Sequence, residues 1–484
     1  MVLNDTQRLG RSAFLILPVM ALAFYIAFIP HQSYPYPVHI DDWVHLAYSD
    51  ALLKAGSTTF TDPFFGTSTW SLRNNLEAGF HVFWSVFHQI SGISWLTIYR
   101  YFPGVVLAIT ALSVYVLGQR RGFGWEAAFF VALIPTTVGI LGPAFLVPVA
   151  LGLLFVAISL FVAFNFSGVW SYIVLFLFTC FLLTIHAPSA ICLVIILVPY
   201  LLFNLRGNFK HSLGLGLALA VPFLAPFPWI FDKLLPTAQS LFTQQTVSEY
   251  VDIPRVIKTY GYLPVGLCLL GTLALAIKGG RKNYSLVLGL LAILLVLAVF
   301  FTFHYGVDIM YERGLMFMML MMGIVAGAGL ATVKNFRLPE GLVSKARVFA
   351  VTRYLGWFLC LVLVGITLFI AIPDRQGELY YHIIDDEEYE VFVWIKENIG
   401  DEYDKAILDP WKGTPFTAIT GKKVYTRLHA YPKAKDEKAV AFLEGGCSDT
   451  EFLRAQGISI VYTDIACSNP DLVEVNNGVY LLPR

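Results

Sequence analysis

Long apolar runs are the feature that most constrains this chain. Of its 484 residues, 57% are hydrophobic and only 14% are charged, whereas soluble globular proteins carry about 25% charged residues. A helix needs about 20 mostly apolar residues to cross a bilayer. About eleven runs approach this length, at 12–30, 96–118, 125–141, 144–164, 170–186, 187–204, 211–230, 260–277, 284–303, 311–332 and 354–372. The sequence therefore predicts an α-helical polytopic membrane protein with about eleven transmembrane helices.

Lysine and arginine are distributed unevenly among the predicted connections. With a cytoplasmic N-terminus, the inner loops carry Arg120 and Arg121; Arg206 and Lys210; Lys278, Arg281 and Lys282; and Lys334, Arg337, Lys345, Arg347 and Arg353. The opposite loops are longer but poorer in both residues, which is the bias expected of loops outside the cytoplasm. The pattern predicts a plasma-membrane protein with a cytoplasmic N-terminus. An odd number of spans then places the C-terminal segment outside.

The composition changes sharply near residue 374. Residues 387–400 and 450–457 have helical patterns, and short strand patterns occur at 405–410, 422–426, 459–464 and 478–483. We expect a membrane domain over 1–373, with a first outer loop at 31–95, and a small extracytoplasmic α/β domain over 374–484. Cys447 and Cys467 lie in this tail, and whether they pair is left open by the sequence.

Titratable side chains are concentrated in the first outer loop. The group comprises Asp41, Asp42, His45, Asp50, Asp62, Arg73, Glu77, His81 and His88. A carboxylate directly after a membrane span can be ionised and still meet a lipid-borne substrate. One of the pair Asp41–Asp42 is also suited to cap the following helix. Glycosyl transfer needs a carboxylate that accepts the acceptor's proton, so we expect the catalytic base here.

A second candidate group lies near the start of a later span. Arg313 follows His304 and begins a very apolar run, where a charge is costly unless it snorkels or binds something. It could hold the phosphate of a lipid carrier, with His304 assisting. The alternative is that Arg313 pairs with Glu312 or Asp308, or with bulk lipid phosphates.

Further candidates for substrate binding are His45, Arg73, Glu77, His81 and His186. Glu77 and His81 are four residues apart and would share a helix face, so a simple surface pair is the alternative for them. His186 sits at a predicted helix end, where packing alone is the alternative. The long connection at 231–259 is a candidate for a gate or an acceptor-binding segment.

Four segments carry a resemblance to a known superfamily. HIDDWVHLAYSDALLKAG resembles the acidic first-loop motif of the GT-C polyprenyl-phosphate-dependent glycosyltransferases, and LEAGFHVFWSVFHQISGI resembles the segment before their second span. LTIHAPSA resembles a His-Pro helix-end motif, and LDPWKGTPFTAITGKKVYT is similar to the WWDYG region of oligosaccharyltransferases, with its residues largely replaced. The resemblance implies a GT-C fold, Asp41 or Asp42 as the base and Arg313 as the carrier-phosphate ligand.

The departures from that pattern also carry predictions. The acidic metal-binding motifs of oligosaccharyltransferases are missing from the outer ends of the third and fourth predicted spans, so no metal cofactor is expected and a monophosphate donor is favoured. The expected partners are a polyprenyl- or dolichyl-phosphate sugar, the bilayer and an extracytoplasmic acceptor that could be protein, lipid or glycan. No basic block indicates nucleic-acid binding.

Two rival functions remain at this point. A transporter or lipid flippase would place charged residues near mid-membrane, whereas the charged residues here cluster at one predicted interface. A non-catalytic scaffold would account for the tail but not for the outer carboxylates and Arg313. The sequence therefore favours a glycosyltransferase.

Overall fold

The computed structural model describes residues 2–71, 77–137, 141–224, 239, 253–305, 308–336, 346–378, 380, 382–428 and 432–483. Their contacts divide the chain into two compact units. The first, which we call the membrane unit, comprises Met1–Gln32 and Tyr101–Leu379. The second, the loop–tail unit, comprises Ser33–Arg100 and Tyr380–Arg484. The domain boundary expected at residue 374 stays a prediction, but the contacts group the first outer loop with the tail.

Most of the described chain is helical. In chain order the helices are α1 (Val2–Phe28), α2 (Ile40–Ala55), α3 (Ala78–Ser91), α4 (Trp95–Gln119), α5 (Gly124–Ala132), α6 (Pro148–Asn165), α7 (Val169–Ile185), α8 (Ala187–Leu205), α9 (Phe209–Leu224), α10 (Ile253–Tyr260), α11 (Tyr262–Lys278), α12 (Arg281–Phe303), α13 (Asp308–Lys334), α14 (Ala346–Gln376), α15 (Asp386–Asn398), α16 (Gly413–Thr420), α17 (Ala434–Glu444) and α18 (Thr450–Gln456). The strands are β1 (Thr59–Thr61), β2 (Thr69–Ser71), β3 (Lys405–Ile407), β4 (Lys423–Val424), β5 (Ile460–Tyr462), β6 (Val473–Asn476) and β7 (Val479–Leu481).

The membrane unit contains the apolar helices. Within the described ranges, seven helical stretches are long and apolar enough to cross a membrane: Phe14–His31, Trp95–Gln119, Pro148–Asn165, Ala187–Leu205, Arg281–Phe303, Arg313–Lys334 and Tyr354–Gln376. The apolar helices α7, α9 and α11 are slightly shorter, at 16 or 17 residues. A multi-pass membrane protein is thus confirmed, while the total of about eleven spans stays a prediction.

One predicted span is not a continuous helix. The run 125–141 forms only α5, which ends at Ala132. Pro135 follows shortly, and a proline disfavours helical geometry in the residue before it and removes a backbone donor. The chain then turns, and the Thr136 hydroxyl accepts a hydrogen bond from the Ala144 amide at 2.9 Å. The expectation of a single helix over 125–141 is therefore wrong.

Glycines bring two membrane helices into close contact. A Cβ at Gly271 on α11 would overlap the carbonyl oxygen of Val325, and one at Gly329 on α13 would overlap that of Leu267. Small residues let membrane helices approach closely enough for backbone contact. The α11–α13 pair therefore depends on side chains being absent at these two positions.

The tail forms the predicted α/β domain. Its sheet has the order β4-β3-β5-β7-β6, with β3 parallel to β4 and β5, and β7 antiparallel to β5 and β6. Four strands coincide with the predicted ones, whereas β6 was not predicted. A disulfide joins Cys447 to Cys467 across a Cα–Cα distance of 5.2 Å, which settles the pairing that the sequence left open.

The first loop and the tail are bound together by polar contacts. The Val424 amide of β4 donates to the Phe64 carbonyl at 2.8 Å. The Tyr34 hydroxyl donates to the Ile384 carbonyl, and the Tyr36 hydroxyl to the Asp386 carboxylate, each at 2.8 Å. Residues far apart in sequence therefore build one unit around α2.

The helix crossing can be tested with two alanine substitutions on α11. Gly271→Ala should lower the midpoint of thermal unfolding, because its methyl group would overlap a backbone oxygen and overpacking costs about 1–3 kcal/mol. Gly266→Ala is the matched control, since nothing lies within 4 Å of its Cβ position. It should be neutral or slightly stabilising, because alanine favours helices over glycine. Equal midpoints for the two variants would contradict the close crossing.

Candidate active site

The acidic pair lies in the first turn of α2. His39 is the residue that caps this helix, and its imidazole Nδ1 accepts a hydrogen bond from the Asp41 amide at 3.1 Å. The expectation that Asp41 or Asp42 caps the helix is therefore wrong. Both carboxylates instead lie within the first turn itself, where the helix dipole favours negative charge.

The two carboxylates differ in their access to solvent. The Asp41 side chain is 26% exposed, whereas Asp42 is 1% exposed and lies within electrostatic range of Tyr99. Adjacent helical residues point about 100° apart, so a single turn can direct one acid outward and the other inward. Of the two acids, Asp41 is therefore the one that solvent reaches.

A pair of buried histidines lies beside the acids. His45, on the next turn of α2, shares a hydrogen bond of 3.0 Å between its Nδ1 and Nε2 of His81 on α3. Burial, and then the neighbouring His45, hold the pKa of His81 well below its usual value. His81 is therefore neutral at physiological pH, and its hydrogen bond to His45 ties α3 to α2.

Tyr48 and Asp62 extend this group along α2. The Tyr48 hydroxyl donates to Asp62 Oδ2 at 3.3 Å, and Asp62 Oδ1 accepts the Phe64 amide at 2.7 Å. Burial is the main cause that raises the pKa of Tyr48 to about 12. The phenol is thus protonated and able to donate, while Asp62 holds the turn between β1 and β2.

Arg427 brings a positive charge from the tail to this group. Its guanidinium lies over the Phe64 ring at 4.2 Å, hydrogen-bonds Tyr48 and interacts electrostatically with Asp62 and Asp41. Burial lowers the pKa of Arg427, while Tyr48 and the two carboxylates oppose that effect. Because arginine ordinarily titrates far above neutral pH, the guanidinium keeps its charge.

The backbone around Arg427 is firmly held. The Tyr425 amide donates to the Ala406 carbonyl at 2.7 Å, and the Leu428 amide to the Pro410 carbonyl at 2.9 Å. Gly413 packs against the same segment, and a Cβ there would lie 2.9 Å from the Thr426 carbonyl oxygen. The tail sheet therefore presents Arg427 in a fixed position.

The arrangement is suited to base chemistry. A partly exposed carboxylate lies within electrostatic range of a guanidinium that also hydrogen-bonds a protonated phenol, and two buried histidines pack nearby. Such a carboxylate can accept a proton from a hydroxyl or amide, while the guanidinium offsets the negative charge of two acids. Among the described residues no group of three or more His, Cys, Asp or Glu side chains gathers as a metal site, so they offer no ligand set for a divalent cation.

The other predicted site residues fall in different places. Glu77 precedes α3 and is half-buried, while Arg73 lies outside the described residues. His186 belongs to the membrane unit, where it is buried between α7 and α8 and its Nδ1 lies 2.6 Å from Ser189 Oγ. The structure brings Asp41, Asp42, His45 and His81 together in the loop–tail unit.

His304 and Arg313 both lie at the connection between α12 and α13. His304 ends α12 with φ of 60°, a left-handed conformation that is uncommon outside glycine. Its amide donates to the Phe300 carbonyl at 2.7 Å. Arg313 is half-buried in the second turn of α13. Within the long connection at 231–259, the described residues are 239 and 253–259, the latter in α10, and the rest lies outside them.

Sequence reasoning missed two members of the site. Tyr48 lies seven residues after Asp41 and three after His45, a spacing that puts it on the same helical face and could have revealed it. Arg427 follows a predicted strand, but nothing in the sequence links it to a loop at the other end of the chain.

Comparisons with known proteins identify the fold. No family model matches the sequence, and no curated protein matches it. Among solved structures, the oligosaccharyltransferase of Archaeoglobus fulgidus superposes with a TM-score of 0.65 at 10% identity, covering 93% of this chain and 69% of that one. ArnT from Cupriavidus metallidurans, bound to undecaprenyl phosphate, has a TM-score of 0.58 at 14% identity, covering 98% of both chains.

A third solved structure agrees with these two. The arabinofuranosyltransferase AftD from Mycobacteria has a TM-score of 0.59 at 15% identity, covering 98% of this chain but 40% of that one. At such identities the likeness shows the fold. The expected GT-C fold is thereby confirmed.

The buried histidine pair should make stability depend on pH. The pKa of His81 is depressed in the folded protein, whereas in the unfolded chain it has the ordinary histidine value of about 6.5. Below that pH the unfolded chain therefore binds a proton that the folded protein does not. The unfolding midpoint of the wild type should therefore fall as pH drops from 7.5 to 5.5. In His81→Asn the free energy of unfolding should fall less steeply with decreasing pH, by up to about 1.4 kcal/mol per pH unit. His382→Asn, at an exposed position, should keep the wild-type slope; an unchanged slope in His81→Asn would refute the assignment.

Proposed function

We propose that this chain is a glycosyltransferase that moves a sugar from a polyprenyl-phosphate carrier to an extracytoplasmic acceptor, with Asp41 as the base. The observation that carries the proposal is the partly exposed Asp41 carboxylate, which lies in a GT-C fold within electrostatic range of Arg427, itself hydrogen-bonded to Tyr48. ArnT with this fold binds undecaprenyl phosphate, and the Archaeoglobus oligosaccharyltransferase has been captured with a dolichol-phosphate and an inhibitory peptide.

The reaction would be a single displacement. The acceptor oxygen or nitrogen attacks the anomeric carbon, and its proton passes to Asp41. The bond between that carbon and the carrier phosphate breaks, and the phosphate leaves with the electron pair. Attack opposite the leaving group inverts the anomeric configuration, which makes the enzyme an inverting transferase.

The remaining residues would support these steps. Arg313, with His304, would hold the carrier phosphate and stabilise its growing charge. Arg427 would position Asp41 and Tyr48, since it interacts with both. His45, Arg73, Glu77, His81 and His186 are retained as candidates for substrate binding; the buried histidines would act by holding α2 and α3 rather than by touching the sugar.

The proposed orientation rests on the loop charges and the disulfide. The predicted inner loops carry most of the lysine and arginine, which supports a cytoplasmic N-terminus. The Cys447–Cys467 bond supports an extracytoplasmic tail, because disulfides persist in oxidising compartments. The loop–tail unit would then work outside the plasma membrane. A transporter or flippase is the alternative, and neither the fold nor the position of the titratable groups favours it.

The base can be identified by turnover of the purified protein in detergent. The assay measures release of polyprenyl phosphate from a panel of polyprenyl-monophosphate sugars, a product common to every sugar and acceptor. Asp41→Asn should lower kcat by about 10²–10⁴-fold, the usual contribution of a general base. Asp42→Asn should lose less, because its side chain is buried away from substrate. Asp401→Asn, at an exposed position in the tail, is the control and should keep wild-type activity. If Asp42→Asn lost all activity while Asp41→Asn stayed active, the base would be Asp42 instead.

Substitutions of Arg313 and Arg427 should change different kinetic parameters. Arg313→Ala should raise the donor KM, because it removes a charged partner of the phosphate. Arg427→Gln should lower kcat by about tenfold with little change in donor KM, as expected for a residue that positions the base. Arg454→Gln, exposed in the same tail, should match the wild type. Wild-type kinetics in both Arg313→Ala and Arg427→Gln would leave the site assignment without support.

A further inference from the structure

Five cations converge at one end of the membrane unit. Arg120 and Arg121 follow α4, Lys278 ends α11, and Arg281 and Lys282 begin α12. Lys278 Nζ donates to the Arg121 carbonyl at 3.2 Å, and Lys282 lies within electrostatic range of both Arg120 and Arg121. We call these five residues the basic cluster.

Among the described residues, the elements that build the cluster carry no carboxylate to balance it. The helices and turns that build it fall within 78–125, 127–231 and 253–307, and these stretches contain no Asp or Glu. The acid between the first two stretches, Glu126, forms an ion pair with Lys334. The cations therefore repel one another, and their charge is available to an anion.

The strongest indication of a ligand in the cluster is the guanidinium of Arg121. Its guanidinium packs over the Phe164 ring at 5.0 Å, and neither Nη1 nor Nη2 has a hydrogen-bond partner within the described part of the chain, although both are buried. Burying charged donors without partners costs several kcal/mol. The positive-inside bias of membrane proteins requires only exposed lysines and arginines in a loop. It does not explain why the terminal guanidinium nitrogens of Arg121 are buried.

Polar side chains line the same end. Arg281 Nη1 donates to Asn204 Oδ1 at 3.4 Å, and His211 Nδ1 and Nε2 lie 2.8 and 3.4 Å from the hydroxyls of Tyr172 and Tyr200. Tyr200 is also within electrostatic range of Arg121 and Arg281. A phosphate here would meet both charged and neutral hydrogen-bond donors.

An apolar groove begins next to the cluster. It lies between α8 and α12, has a volume of about 410 Å³, and is lined by Leu202, Phe203, Leu288, Leu291, Ala292 and Leu295. Phe203 adjoins Asn204 in sequence and packs against Tyr284 of α12, with ring centroids 6.1 Å apart. A hydrocarbon chain and a phosphate could thus be held side by side.

We propose that this end of the membrane unit is a binding site for an anionic phospholipid, with its phosphate on the basic cluster and an acyl chain in the α8–α12 groove. The site is separate from the proposed sugar transfer and does not depend on it. The groove favours a lipid over free phosphate, because free phosphate has no apolar part that could be buried in it. The cluster supplies the charge complementarity that a neutral headgroup would lack.

The test measures lipid retention by the purified full chain in detergent, using native mass spectrometry. Phosphatidylglycerol should be retained in preference to phosphatidylcholine. Lys282→Gln and Arg121→Gln should each weaken phosphatidylglycerol retention by about fivefold or more, since each cation near a lipid surface contributes about that factor. Ala292→Trp, which fills the groove, should weaken it while leaving all five cations in place. Lys258→Gln, an exposed position on α10, should have no effect.

Three outcomes would overturn the proposal. One is equal retention of the two lipids, and another is wild-type retention by Lys282→Gln together with Ala292→Trp. The third is displacement of phosphatidylglycerol by inorganic phosphate at equal concentration, which would show a site for the free anion. If Arg121→Gln does not fold, the exposed Lys282 and the groove variant still decide the result.

Discussion

The hydrogen bond of Arg427 to Tyr48, together with its electrostatic interaction with Asp62 and Asp41, is the feature on which the candidate site depends. A 16-residue helix such as α2 is marginal in isolation, and so is a two-stranded hairpin such as β1–β2. The tail supplies what they lack: a backbone hydrogen bond to Phe64, a guanidinium stacked on its ring and a packed sheet behind it. The carboxylate therefore gains a fixed position from residues at the opposite end of the chain.

Local patterns were enough to predict the helices around the acids and most strands of the tail. The apolar faces of α2 and α3, and the short β-rich segments after residue 400, each carry their signal within a few residues. The join between loop and tail carries no such signal. Arg427 reaches Tyr48 only because β4 pairs with β3 and the tail packs on the loop, and that register is set by tertiary contacts. The break after Ala132 was also missed, because hydrophobicity alone does not locate the end of a helix.

Two other cations of the membrane unit have polar partners. Lys334 pairs with Glu126, and its Nζ lies 5.4 and 5.3 Å from the centroids of the Trp125 and Trp357 rings. Arg375 donates to Asp374 and to the Leu133 carbonyl, each at 3.0 Å. Since desolvating a cation is costly, such partners are what an apolar environment requires. At Arg121, by contrast, neither Nη1 nor Nη2 has a hydrogen-bond partner among the described residues, which is why the basic cluster stands out from these two charges.

Burial also explains how neighbouring groups on one helix can have different tasks. Asp41 is partly exposed at the start of α2, whereas Asp42 and His45 are buried behind it. The low-dielectric interior keeps His81 from taking up a charge that would compete with Arg427 for the acids, because burial holds its pKa low. A carboxylate that exchanges protons, as proposed for Asp41, needs water and a nearby cation. The buried residues that hold it in place need hydrogen-bonded partners instead. Two consecutive turns of α2 meet both needs because the chain exposes one face and buries the other.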